Sequence, residues 1–127
     1  MPLVLLAGAM LQLMLGVFFT PEGVIKWIHI GPSTARFQHF RYPIWFRYAT
    51  GVLEVLVGLG LLVGLWVGWL AAVAALALIV EMLVAIVSHL LRGHDPFVPE
   101  AVPAMVVLVI ALAVLALHWA SLMALVR

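Results

Sequence analysis

The chain has 127 residues, 68% of them hydrophobic and 9% charged, with a formal net charge of +1 and a mean hydropathy of +1.32. A soluble domain carries roughly a quarter charged residues, so this composition excludes an ordinary soluble fold and predicts one integral membrane domain over residues 1–127. The small net charge gives no field for nucleic acid, and the absence of cysteine excludes disulfide exchange, thiolate metal sites and iron–sulfur ligation by this chain alone.

The expected fold is all-α: a membrane bundle of four helices over residues 2–27, 43–65, 68–91 and 99–126, each near the roughly 20 residues that cross a hydrocarbon core. The first span lacks the basic start and small-residue cleavage site of a signal peptide, so it reads as a retained helix. Thr20-Pro21-Glu22 has the makings of a helix start, which predicts a kink or break near Pro21. Glu22 and Lys26 are four apart in the favourable order and can pair. Gly8, Gln12, Gly16 and Gly23 fall near one face, the face that should meet another helix in lipid. Gln12 on that face reads first as an amide joining helices and second as a ligand group.

Residues 28–41, IHIGPSTARFQHFR, form the longest loop, punctuated by Gly31-Pro32. Pro32-Ser33-Thr34 suits the start of a short interfacial helix. His29 and His39 lie here, and with His89 and His94 they make four histidines on one membrane side. No pair has compact ligand spacing such as i, i+4 on one helix, so separate solvated histidines are expected and no metal site is assigned.

The second span opens on Arg41, Tyr42, Trp45, Arg47 and Tyr48 and carries Glu54 near its middle. Arg47, Gly51, Glu54 and Gly58 share a face on a 3.6-residue period, which turns the carboxylate away from lipid. A charge at that depth is expensive and is a functional candidate by default. The competing reading is a clamp, with Glu54 holding Lys26, Gln12 or Arg47.

Trp66 and Trp69 mark the turn into the third span at the far interface. Glu81 lies just past that helix's middle, on a face shared with Ala77, Ala85 and Ser88. Rise along each helix places Gln12, Glu54 and Glu81 within about a turn of one depth. Two acids that meet there need a proton or a cation between them. After the loop RGHDPFV, the fourth helix starts near Pro99-Glu100, with the acid suited to a helix N-terminus. His118 and Trp119 lie at its far end. His118 and His89 sit toward opposite faces, which argues against a haem held between them. Lys26, Arg36, Arg41, Arg47 and Arg92 all fall on the loop side. The positive-inside rule therefore places loops 28–42 and 92–98 in the cytoplasm and the termini outside.

Several of these features carry a family resemblance. Phe18-Phe19 followed by Gly23 and Lys26, then Tyr42-Pro43-x-Trp45-Phe46-Arg47-Tyr48 with Gly51 and Leu53-Glu54, then Gly58-Leu59-Gly60-Leu61-Leu62 and an alanine-rich third helix, resemble the DoxX-like family of small four-helix membrane proteins. Thr20-Pro21-Glu22 and Glu81 depart from its pattern. The resemblance implies a small subunit of a quinone-linked redox system in a bacterial inner membrane, with Lys26, Arg47 and Glu54 as site positions and Gly23 and Gly51 as packing partners.

The leading expectation is thus an accessory protein. It would hold a redox partner, or a lipophile such as a quinone, in a cleft walled by the first two spans. Lys26 or Arg47 would donate to the lipophile, Glu54 would orient the donor or pass a proton, Gln12 would be a further ligand group, and Trp45 would stand among the aromatic groups at the mouth. A second expectation is a membrane isomerase or cyclase using Glu54 and Glu81 as acid and base. A third is an assembly or chaperone-like factor whose buried polar groups only fix helix register. Gly60, Gly64 and Gly68, four apart, would serve the bundle or a homo-oligomeric contact.

Overall fold

The computed structural model describes residues 2–28 and 32–127. His29 and Gly31 lie outside the described residues. The helices are α1 (Pro2–Ile28), α2 (Ser33–His39), α3 (Ile44–Val63), α4 (Gly68–Val87) and α5 (Val102–Val126). A π-helical turn, Ser88–Arg92, continues α4, and a second short segment, Phe97–Ala101, leads into α5. Among the described residues, four helical stretches are long and apolar enough to cross a membrane: Leu3–Ile28, Ile44–Val63, Gly68–Arg92 and Phe97–Val126. The short interfacial helix expected after Pro32 is α2.

Chain chemistry sets the element ends. Pro43 is extended at the start of α3 (φ −66°, ψ 156°). Val98, which precedes Pro99, is extended as well (φ −103°, ψ 123°), the conformation that a following proline imposes. At Pro21 a break is absent, and α1 runs through it as one helix. Thr20 does not cap a new helix there; its hydroxyl donates back to the Gly16 carbonyl at 2.8 Å. In lipid each open backbone group is costly, so a helix that crosses a proline keeps its remaining hydrogen bonds.

The bundle is built from two close pairs, α1 against α3 and α4 against α5, with α3 and α4 joining them. The α1–α3 seam is a glycine seam. A Cβ on Gly23 would overlap the Gly51 carbonyl, and one on Gly16 would lie 3.0 Å from the Gly58 carbonyl. Backbones that approach this closely gain dispersion contacts along their whole length, the main attraction between helices in a bilayer. Gly64 packs on Ala71 and Gly68 on Ser121, so these glycines serve the bundle. The core between the pairs holds Leu15, Phe19, Leu61, Leu78, Leu108 and Val114. Leu3, Met14, Leu56, Val80 and Val109 point outward, a surface that suits acyl chains and would be a liability in water.

Candidate functional site

Among the described residues, four polar clusters break this apolar frame. The deepest joins α1, α3 and α4. Lys26 ends α1, where a cation is favoured by the helix dipole. Its ammonium forms an ion pair with Glu54 Oε1, and both side chains are 5% exposed. Glu22 also faces Lys26, at 3.8 Å, as the four-residue spacing predicts. Glu81 reaches across from α4 to the neighbourhood of Glu54. The two acids therefore come near each other, and the cation beside them is Lys26. Oε2 of Glu81 is buried with no hydrogen-bond partner.

The second cluster centres on Gln12, which lies beyond the carboxylates. Its amide donates to the Leu61 carbonyl at 2.8 Å. Its carbonyl oxygen bonds His118 Nε2 at 2.9 Å. Gln12 thus ties α1 to α3 and α5 together. The expectation that it shares a level with Glu54 and Glu81 fails, because rise counted along separate helices ignores how far each is shifted against its neighbours. His118, expected as an interfacial hydrogen-bonding group, finds its partner inside the protein.

The third cluster is at the loop end. Arg47 is buried in the first turn of α3 and donates to the Thr34 hydroxyl of α2 at 2.7 Å. The Tyr48 ring lies beside its guanidinium, 5.2 Å from the centroid. Thr34, Phe37, Gln38, Tyr42, Pro43, Ile44 and Arg47 line a pocket of about 240 Å³ there. Its aromatic wall is continuous, since Phe37 packs on Tyr42 and Phe46 and Tyr42 stacks on Phe46 at 4.4 Å. Sequence reasoning missed Thr34 and Phe37 as pocket residues. The signal available was the helix start at Pro32, which folds α2 back over α3.

Two expected site residues stand elsewhere. Trp45 is 65% exposed and touches Phe46 edge-on, so it faces outward and lines neither pocket. Trp27 takes the place nearer the seam, where its indole donates to the Tyr48 carbonyl at 3.0 Å. Lys26 is engaged by two carboxylates. The expected cleft between the first two spans is closed by the glycine seam. What remains on that side is a shallow outer groove of about 260 Å³ lined by Val24, Trp27, Val52, Val55 and Leu56.

The sequence of the DoxX-like family matches residues 10–115. The chain belongs to the DoxX-like family. A protein of Bacillus subtilis (strain 168), described as uncharacterized protein YdgD, is 29% identical over 106 residues, covering 84% of this chain and 92% of its own. No solved structure matches. The family match covers the glycine seam, the ion pair and the Arg47 pocket, and with four membrane-capable helices it makes this a multi-pass membrane protein.

At the rim, His39 Nε2 and His89 Nδ1 bond the two oxygens of Asp95, at 2.9 and 3.0 Å. The bond to His89, then that to His39, holds the Asp95 carboxyl below its usual range. The expectation of separate histidines is corrected for this pair: loops distant in sequence bring them to one acid. Arg92 fastens the same region, donating to the Phe40 carbonyl at 2.8 Å and the Arg41 carbonyl at 3.0 Å.

Proposed function

We propose that the protein is an accessory component of a membrane redox system that holds the polar head of a quinone-like lipophile in the loop-end pocket. The observation that carries this reading is a buried guanidinium set in an aromatic pocket of about 240 Å³ at the end of a membrane helix. A quinone head is flat, apolar on its faces and an acceptor at two oxygens. Arg47 supplies a donor for one oxygen, and Phe37 and Tyr42 supply ring faces. Pro43 and Ile44 border the exit, from which the tail would run along the outer face into lipid. The Lys26–Glu54–Glu81 cluster serves this reading as a clamp that keeps α1, α3 and α4 in register. The test is mass spectrometry of lipids extracted from the purified protein. A lipophile retained by the native chain and lost from Arg47→Gln and Phe37→Ala supports the reading. Equal lipid content in all three overturns it.

A second reading, acid–base chemistry on a polyisoprenoid, is favoured by the nearness of the two carboxyl groups and by the unpartnered Oε2 of Glu81. Neither pocket described above is lined by a carboxylate, so it stands second. Deuterium transfer from D2O into squalene vesicles, abolished by Glu81→Gln, would raise it above the first.

A further inference from the structure

We propose that His89, Asp95 and Glu100 bind a divalent transition-metal ion of Zn2+ type at the loop end of the bundle, with His39 positioning Asp95. One donor atom from each of the three ligands lies within 4.8 Å of the others. A tetrahedral site with bonds of about 2.0–2.2 Å sets its donors roughly 3.3–3.5 Å apart. His89 Nδ1 and Asp95 Oδ2, hydrogen-bonded at 3.0 Å, need only open by a few tenths of an ångström to reach it. The closure that remains falls to Glu100, whose side chain is exposed and free to swing.

The three ligands come from consecutive pieces of one connection: the π-helical turn Ser88–Arg92, the loop after it, and the segment Phe97–Ala101. The connection is held in shape before any ion arrives. Asp95 N–H donates to the His89 carbonyl at 2.8 Å, and the His89 ring meets Phe40 edge-on at 4.8 Å. Arg92 pins the loop to the α2–α3 linker. His39 bonds the Asp95 oxygen that faces away from His89, the arrangement by which an outer group orients a metal-binding one.

A purely structural clasp accounts for His39, Asp95 and His89 but leaves Glu100 unused. Its carboxylate makes no hydrogen bond or ion pair among the described residues, yet it comes within 4.8 Å of the other two donors. The donor set is one imidazole and two carboxylates. Nitrogen in the set favours Zn2+, Mn2+, Fe2+ or Ni2+ over Mg2+ and Ca2+. Three protein ligands leave a position for water, the pattern of an open site.

The test is calorimetric titration of the full chain in detergent, stripped with EDTA and titrated with ZnCl2. Co2+ absorption serves as the report on coordination geometry. The expected result is one saturable Zn2+ site per chain that millimolar Mg2+ does not displace. Glu100→Gln and His89→Asn should weaken it by about 100-fold or more, and His39→Asn by roughly 10-fold with the Co2+ spectrum retained. Glu100 is exposed, so its variant folds whatever becomes of His89→Asn. Absence of saturable Zn2+ binding by the native chain overturns the proposal. So does binding unchanged in Glu100→Gln, or a loss in the neighbouring His94→Asn equal to that in His89→Asn.

Discussion

Lys26 and Glu54 show what a single pair of charges demands of a bilayer protein. Each is nearly sealed from solvent, and each is tolerable only because the other is there. Removing one partner strands a charge among apolar helices, a loss of about 3–5 kcal/mol. Replacing both with apolar groups removes the penalty along with the pair. Lys26→Met alone should therefore lower the unfolding temperature in micelles sharply, and Lys26→Met with Glu54→Leu should regain most of the loss. Additive losses in that double-mutant cycle would show that the two charges do not depend on each other. Gln12 is a neutral counterpart. It satisfies a backbone carbonyl of α3 and the His118 ring at once, so Gln12→Leu should cost about 1–3 kcal/mol by leaving a buried partner unpaired, measured by the same unfolding.

At the scale of the element, α1 and α3 are paired by absence of side chain. Gly51→Val would drive a branched side chain into the Gly23 carbonyl and the Trp27 ring. It should disrupt the seam more than Leu56→Val on the outward face of the same helix, read as loss of folded monomer on gel filtration. Much of this seam was legible in the sequence. A 3.6-residue period put Gly8, Gln12, Gly16 and Gly23 on one stripe and Arg47, Gly51, Glu54 and Gly58 on another, and the two stripes meet where Gly16 faces Gly58 and Gly23 faces Gly51. Glu22 with Lys26 was legible for the same reason. Periodicity says which way a side chain turns about its own helix, but nothing of how helices slide past one another. That is why Gln12 was placed level with the carboxylates. Trp45 is exposed, and sequence alone does not decide its role, because an aromatic residue at a membrane boundary serves a lipid surface and a pocket mouth equally well. The meeting of His39 with Asp95 and His89 depends on two loops folding over one end of the bundle, and no spacing rule within one helix contains it.

Across the whole molecule, the lysine and arginines other than Arg127 gather at one end and the apolar surface faces outward in a band between two sets of tryptophans. Trp27 and Trp45 stand at the loop end, and Trp66, Trp69 and Trp119 at the other, all exposed as interfacial anchors should be. The charge bias predicts a cytoplasmic loop end. Because the chain has no cysteine, a single Gln38→Cys should resist a membrane-impermeant maleimide in intact cells while Arg127→Cys reacts; the reverse pattern would invert the orientation. The functional reading depends on the same end, where α2 folds over the start of α3 and encloses Arg47. Its most direct test is the affinity of the purified protein for a short-chain quinone, followed by quenching of tryptophan fluorescence. The account predicts saturable binding that Arg47→Gln weakens by roughly 10-fold or more, the loss of one charged hydrogen bond, while Glu54→Gln changes it little. Equal binding by the native and Arg47→Gln proteins, or loss with Glu54→Gln alone, would contradict it.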